Sequence, residues 1–370
     1  MGGKGESLCF CVHDVPFHLA NVLKQEALSI GADAAVNVNC ISGGIKETDV
    51  LLLGNVKDMQ ILSAKSKKQS FSLLKSLGDK LEKYINKYIK QEFIITGQGL
   101  KIHLGEKACL MGILNVTPDS FYDGGNYTNT EEAIRQALKM VDEGVDIVDV
   151  GGESTRPGAE AVKEEEEIKR VIPVIEGIRK KSNIPISIDT YKSKIAEKAV
   201  QAGANIVNDV ALKLDEKMIN IVKNYDVPII IMHMKGKPKT MQLNPVYNHL
   251  ISDILEQMEK YIKILEGNGV DEEKIIIDPG IGFGKKTEDN LIILQRLNAF
   301  RVLGKPILVG VSRKSFIGKI LNKDVGERLC GTLAAITTAR INGAHILRVH
   351  DVKQAKEALK ITEAIMRDGL

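Results

Sequence analysis

The fold class this sequence predicts is α/β: a (β/α)8 TIM barrel preceded by a small α/β domain. Three observations predict it. From Leu110 onward the chain repeats one pattern eight times: a short apolar run, a polar cluster, then an amphipathic stretch. The eight units fill about 260 residues, the count and length of a closed parallel barrel inside a helical ring. The apolar runs are rich in Ile and Val and nearly unbroken, as strands covered on both faces are. An open doubly wound sheet is the alternative. It typically has fewer strands and binds its ligand at one switch point. Here polar clusters end all eight runs, which suits a barrel whose strand ends share one active-site face.

Residues 1–105 have a different texture and form the first domain; residues 106–370 form the barrel. SLCFCV (7–12) reads as a strand. Asp14 is placed to cap a helix running to about Ser29, with Pro16 in its first turn and Gly31 as its stop. AAVNVNC (34–40) and DVLLLGN (49–55) read as further strands. The spacing of Leu73, Leu74, Leu77, Leu81, Tyr84, Ile85, Tyr88 and Ile89 predicts one long helix over roughly 59–90. Its lysines are read as a solvated face in preference to a nucleic-acid surface, because Asp79 and Glu82 interrupt them. No catalytic constellation stands in this domain, and a docking or stability module is the expectation.

Barrel strands are predicted at 109–115, 146–151, 185–189, 205–210, 228–234, 275–279, 306–312 and 346–350. Helices are predicted at 130–143, 164–181, 193–202, 215–225, 246–267, 287–299, 326–342 and 352–367.

Composition excludes several function classes. With 44% hydrophobic and 27% charged residues the chain is an ordinary globular protein, and a net charge of +3 gives no basis for a nucleic-acid partner. No apolar run approaches membrane-spanning length, so no membrane partner and a cytoplasmic location are expected. Five cysteines without a CxxC pair read as reduced thiols. Cys9-x-Cys11-x-His13 is read as alternate residues of a buried strand rather than as a metal site.

The clusters carry the chemistry. NVTPDSF, closing the first barrel strand, is long for a βα connection and reads as a binding loop that starts at Asn115. In GGESTRPG, hydroxyls beside Arg156 suit an anion such as phosphate. Asp189 and Asp278 each end a buried strand, where a carboxylate is costly without a partner. Asn208 adds an amide that donates and accepts, whereas Asp209 has opposite parity and points to the helical layer. Ser312 and Lys314 face one way and Arg313 the other; Arg348 and His350 share a face and suit an oxyanion such as pyrophosphate. His233 in IIIMHM is read as a core or rim histidine. Gly280-Ile281-Gly282-Phe283-Gly284 lacks the full dinucleotide spacing and its downstream acid, which excludes NAD. Carboxylates suit a planar heterocycle with amino and N–H edges, a lysine its carbonyl, and arginines and histidine its phosphates. Neither a Ser–His–Asp set nor an HxH metal triad stands out.

With these residues in view, the chain resembles the dihydropteroate synthase family over roughly 108–368. MGILNVTPDSFYDGG and GGESTRPGAE are similar to the family's two loops, and SIDTYK, NDV, DPGIGFGK, GVSRKSFIG and RVHDV match its later strand ends in order. The resemblance implies condensation of dihydropterin pyrophosphate with p-aminobenzoate, a sulfonamide target and a homodimer. It implies that Asp189, Asn208, Asp278 and Lys314 bind the pterin, with Met232 against its face. Arg348, His350, Asn115 and Arg156 would hold the pyrophosphate, with Mg²⁺ between Asn115 and phosphate oxygens. Phe283, Ser315, Phe121, Thr155 and Pro157 would frame p-aminobenzoate, and Asp189, Lys314 and Arg348 would be the catalytic residues. Two departures stand out: Tyr122 occupies a position where the family commonly has Ser, and the first 105 residues lie outside the family core. The competing readings are a pterin-dependent methyltransferase, which should lack the NVTPDSF and ESTRP loops, and an inactive pterin-binding regulatory paralogue, which should have lost a loop residue.

Overall fold

The computed structural model describes residues 7–117, 126–153, 162–210, 215–236, 241 and 245–367. The chain divides into two compact units, Met1–Lys90 and Gln91–Leu370. The division falls earlier than the expected boundary after residue 105, for a reason that lies in the barrel floor described below.

In the first unit, β1 (Ser7–Pro16) runs into α1 (Phe17–Leu28), followed by β2 (Asp33–Val36) and β3 (Glu47–Asn55). The strands make an antiparallel sheet in the order β1-β3-β2. Val50 and Leu52 of β3 face a core with Leu19, Leu23, Met59, Leu62, Leu74 and Ile85. Asp14 is not a helix cap: it sits inside β1 with φ 53°, and Pro16 is the N-cap residue. The predicted long helix is two, α2 (Val56–Lys68) and α3 (Ser72–Ile89). Asn55 and Asp58 close a capping box at the start of α2, and Gln69 turns extended at its end. The chain then folds back so that Ser63 Oγ donates to the Gly78 carbonyl at 2.7 Å. Gly78 makes this approach feasible, since a Cβ there would stand 2.8 Å from the Ser63 oxygen. The apolar spacing spans the break because both helices face one core. Cys9, Cys11 and His13 lie on the exposed face of β1, so the buried-strand reading of that motif is wrong. It is the intervening Leu8, Phe10 and Val12 that turn inward.

The second unit begins with a hairpin, β4 (Phe93–Gly97) and β5 (Leu100–Leu104). The barrel strands follow: β6 (Cys109–Asn115), β7 (Ile147–Gly151), β8 (Ile186–Asp189), β9 (Ile206–Asp209), β10 (Ile229–Met232), β11 (Ile275–Asp278), β12 (Leu308–Gly310) and β13 (Ile346–Val349). They pair in parallel in the order β11-β10-β9-β8-β7-β6-β13-β12, and a parallel bridge between Ile277 and Ile307 closes the ring. Between the strands lie α4 (Asn126–Asp142), α5 (Glu164–Arg179), α6 (Ser193–Gln201), α7 (Glu216–Asn224), α8 (Leu250–Gly267) and α9 (Thr287–Gln295). A short α10 (Ser315–Leu321) precedes α11 (Leu329–Ile341) in the penultimate unit, and α12 (Val352–Met366) ends the ring.

Strand alternation sorts the side chains into two sets. Leu110, Val148, Val150, Ile188, Val207, Ile231, Ile277, Val309 and Leu347 pack outward against the helices. Met111, Ile147, Ile206, Ile230, Ile276, Leu308 and Ile346 point inward as the lowest interior layer, and the hairpin's Phe93, Ile95, Leu100 and Leu104 cover that layer. This is why the unit starts at Gln91: the hairpin is the barrel's floor. One step further along the same inward parity, the apolar layer gives way to Asp149, Asn208, Met232, Asp278 and Arg348.

Candidate functional site at the barrel mouth

The inward positions of consecutive strands meet at the C-terminal end. Asp149 is fully buried on β7. Its Oδ2 accepts from Arg348 Nε of β13 at 2.6 Å and from Asn208 Nδ2 of β9 at 3.3 Å. Arg348 Nη2 donates to Asp189 Oδ2 of β8, also at 2.6 Å. Burial works against the charge on Arg348, but Asp149 and Asp189 outweigh it and hold the guanidinium ionised. Burial raises the Asp189 carboxyl above its ordinary range, against the pull of Arg348 and with help from Asp149, Glu167 and Asp209. Asp149 Oδ1, Asp189 Oδ1 and Ser187 Oγ are buried with no hydrogen-bond partner among the described residues. Buried acceptors of that kind mark where a ligand's N–H groups belong.

Asp149 escaped the sequence reading, which took only strand ends as site positions. Its signal was there: a single carboxylate in IVDVG, two residues before Gly151 and so on the same face.

On the other side of the mouth stand Asp278 and Lys314. Asp278 Oδ1 accepts the Gly280 N–H at 2.7 Å. Burial raises the Asp278 carboxyl, and Lys314 and the Gly280 N–H act against that rise. Lys314 Nζ donates to the Ile281 carbonyl and lies 4.3 Å from the centre of the Phe283 ring. Burial lowers the ammonium to about 8, with Asp278 opposing the shift. The turn that presents Lys314 is set by Arg313, which has φ 57° and is held by Asp351 at 2.5 Å. Between the polar groups lies an apolar patch of Val210, Met232, Met234 and Met241 with the half-buried Phe283 packed on it.

The loop after β11 is shaped by glycine. Gly280 has φ 69°, and a Cβ there would fall 1.8 Å from the His233 carbonyl oxygen. Only glycine fits so close an approach in the left-handed region. The same contact brings His233 into the site's support. Lys285, also buried, places Nζ 2.9 Å from His233 Nδ1, 3.1 Å from the Phe283 carbonyl and 3.4 Å from the His233 carbonyl. Burial lowers Lys285 to about 7; burial and then Lys285 lower His233 to about 3. Neutral His233 therefore accepts from Lys285, and Tyr247 adds a hydrogen bond to the Gly284 carbonyl at 2.8 Å. This lysine–histidine pair was also missed, because each residue looked unremarkable in its own strand end.

A second buried ion cluster flanks residues 154–161. Lys192 Nζ binds Glu153 on one margin of that segment and the Val162 carbonyl at 2.6 Å on the other, and it pairs with Glu167 at 2.6 Å.

The remaining predicted residues distribute as follows. Asn115 is half-buried at the end of β6, paired in register with Gly151. His350 lies half-buried with Nδ1 3.0 Å from Ser312 Oγ. Ser315 is exposed at the start of α10. Phe121, Thr155, Arg156 and Pro157, with Tyr122, lie outside the described residues. The structure thus brings together Asp189, Asn208, Met232, Asp278, Phe283, Lys314 and Arg348. It seats Arg348 between two carboxylates, a pairing the sequence did not indicate.

The barrel is similar to known proteins in both sequence and fold. The model of the family described as pterin binding enzyme matches residues 111–350. Dihydropteroate synthase of Bacillus subtilis is 45% identical over 282 residues, which cover 76% of this chain and 96% of that protein. The structure of Xanthomonas albilineans dihydropteroate synthase with 4-aminobenzoic acid superposes with a TM-score of 0.71 at 38% identity, covering 75% of this chain and all of that one (100%). The same enzyme in complex with 7,8-dihydropteroate gives a TM-score of 0.65 at 38% identity, covering 71% and 95% of the two chains.

Proposed function

This chain belongs to the dihydropteroate synthase family of pterin-binding enzymes, and from that membership we propose that it joins 6-hydroxymethyl-7,8-dihydropterin pyrophosphate to p-aminobenzoate, giving 7,8-dihydropteroate and pyrophosphate. The observation that carries the reading is the convergence of Asp189, Asn208, Asp278 and Lys314 beside Met232 on one barrel mouth. A dihydropterin offers a 2-amino group, an N3–H and a carbonyl along one edge. Asp278 accepts from the first two, and the Lys314 ammonium donates to the third. The unpartnered oxygens of Asp149 and Asp189 offer an acceptor to the ring's one remaining N–H, at N8, and Asn208 both donates and accepts. Met232 lies against the ring face.

In the reaction the C–O bond to pyrophosphate breaks first, leaving a cation conjugated with the dihydropterin ring. The neutral aromatic amine of p-aminobenzoate then attacks the exocyclic carbon, and its surplus proton passes to solvent. No strong general base is required. The carboxylates at the mouth stabilise the cationic ring, and because they are held in place that stabilisation needs no reorganisation. Phe283 and Ser315 frame the amine substrate. His350 and the remaining Nη1 of Arg348 serve as donors to the pyrophosphate.

The donor chemistry of Asn115 fits Mg²⁺. Its amide oxygen is a hard ligand at the strand end, and Mg²⁺ is commonly held by one or two protein oxygens plus substrate phosphates. Asn115 would hold the ion, which would supply positive charge for the pyrophosphate oxygens. A homodimer and a cytoplasmic location complete the proposal, and among the described residues no helix is long and apolar enough to cross a membrane.

The test is direct. The purified chain with Mg²⁺ and the two substrates should release pyrophosphate and form dihydropteroate; folded protein that yields no product above background overturns the assignment.

A further inference from the structure

The first unit carries a set of ligand atoms that the barrel chemistry does not use. In β1, Val12 pairs with Val50 and Val15 with Thr48, so His13 and Asp14 together oppose Asp49 of β3. This is a β-bulge, a device that re-aims side chains. Strand alternation already puts His13 on the exposed face with Cys11, and the bulge sets it opposite Asp49. His13 Nδ1 stands 3.9 Å from Cys11 Sγ and 3.2 Å from Asp49 Oδ1. All three ligand atoms lie within 4.8 Å of one another, and all three residues are exposed.

The two separations at His13 are within a few tenths of an ångström of those between ligands around a tetrahedral ion. Bonds of about 2.3 Å to sulfur and about 2.0–2.1 Å to nitrogen and oxygen, at tetrahedral angles, set S and N about 3.6 Å apart and N and O about 3.4 Å apart. One thiolate, one imidazole and one carboxylate select a borderline-soft ion over Mg²⁺ or Ca²⁺. Thiolate and carboxylate together also balance a divalent charge. We propose that Cys11, His13 and Asp49 form a zinc(II) site within the first unit that clips the bulged edge strand β1 to the central strand β3. Solvent takes the fourth position. Binding requires the thiol of Cys11, whose pKa burial and the neighbouring Asp49 raise, to give up its proton to solvent.

The experiment uses the full chain, titrated with Co²⁺ as a spectroscopic substitute and with Zn²⁺ against a chromophoric chelator. Wild type should take up one equivalent with a thiolate-to-cobalt charge-transfer band, which an ion at Asn115 does not produce. Cys11→Ser should abolish the band, and His13→Ala and Asp49→Asn should each weaken Zn²⁺ binding at least about tenfold. Cys330→Ser, which changes an exposed thiol elsewhere, should leave band and affinity unchanged. The substituted residues are on an exposed face, so these variants keep their fold. Absence of the band in wild type, or its persistence in Cys11→Ser, overturns the proposal.

Discussion

Arg348 of β13 reaches past β6 to Asp149 of β7, with Nε 2.6 Å from Oδ2, and this ion pair fixes where the guanidinium stands in the barrel mouth. Arg348 has a second carboxylate in Asp189, but Asp149 is the more deeply buried of the two and also receives Asn208.

Removing Asp149 therefore disturbs two residues of the site at once. Asp149→Ala leaves the half-buried Arg348 with Asp189 as its remaining partner and should cost about 1–3 kcal/mol of stability. Displaced Arg348 and Asn208 should lower kcat/KM about 100-fold, the cost of misplacing reacting groups by roughly an ångström. Urea unfolding and steady-state kinetics check both. A variant within twofold of wild type in kcat/KM, and equally stable, would show that the pair positions nothing.

How the sequence could reveal Asp278 and not the role of Lys285 is a matter of range. Strand periodicity is local, so the eight strands, their helices and the inward parity of Asp189, Asn208 and Asp278 all follow from neighbours two to four residues apart. The Arg348–Asp149 pair joins residues 199 positions apart, and Lys285–His233 joins residues 52 apart. Their partners emerge only when the ring closes. The hairpin β4–β5 was hidden for a related reason: its short strands pair locally, but the apolar side chains they share are covered only by the distant barrel strands above them. The break between α2 and α3 left no gap in the apolar pattern, and only Gly78 hinted that two helices pack closely there.

Lys314 predicts a pH dependence. Its ammonium, lowered to about 8, gives a pterin carbonyl a charge-assisted hydrogen bond that the neutral amine cannot match. Pterin affinity should be level below pH 8 and fall above it, approaching tenfold per pH unit. Lys314→Met should bind more weakly at neutral pH and lose this alkaline limb. Calorimetric titration with a dihydropterin across pH 6–10 measures it; an unchanged alkaline limb in the variant would assign the titration to another group.

Gly280 predicts a steric limit. Gly280→Ala forces a Cβ to within 1.8 Å of the His233 carbonyl in a left-handed conformation. Either the β11 loop or the end of β10 must move, and both carry site residues. Loss of pterin binding by more than about tenfold is expected, with a lower Tm. Wild-type binding in Gly280→Ala would mean that the loop relaxes freely.

Lys285 predicts a change in how stability varies with pH. Its folded pKa, about 7, lies below the ordinary 10.5. Between those values the unfolded chain binds more protons than the native one, so stability rises with pH. The contribution is complete above about 10.5 and is lost as pH falls to about 7. Lys285→Met removes the titrating group, and the difference in unfolding free energy between the two proteins should drift steadily across pH 7–10. Parallel stability curves would show that Lys285 stays charged in the fold. Because Lys285 also holds the Phe283 carbonyl, the variant should raise KM for p-aminobenzoate more than it lowers kcat.

The barrel floor makes two truncations behave differently. A chain beginning at Gln91 keeps the hairpin, so its barrel interior stays covered and it should retain pterin binding. A chain beginning at Glu106 loses Phe93, Ile95, Leu100 and Leu104 and uncovers Met111, Ile147, Ile206 and Ile276 beneath them. Burial of four such side chains contributes up to about 6–12 kcal/mol, which is the whole stability of a typical domain. His345 adds to the difference, since its Nε2 lies 3.2 Å from the Gln91 carbonyl and its ring packs edge-on against Phe93. The shorter chain should therefore be insoluble or unfold well below the longer one in a thermal melt. Equal melting temperatures would mean that the barrel closes its own floor and that the hairpin is dispensable.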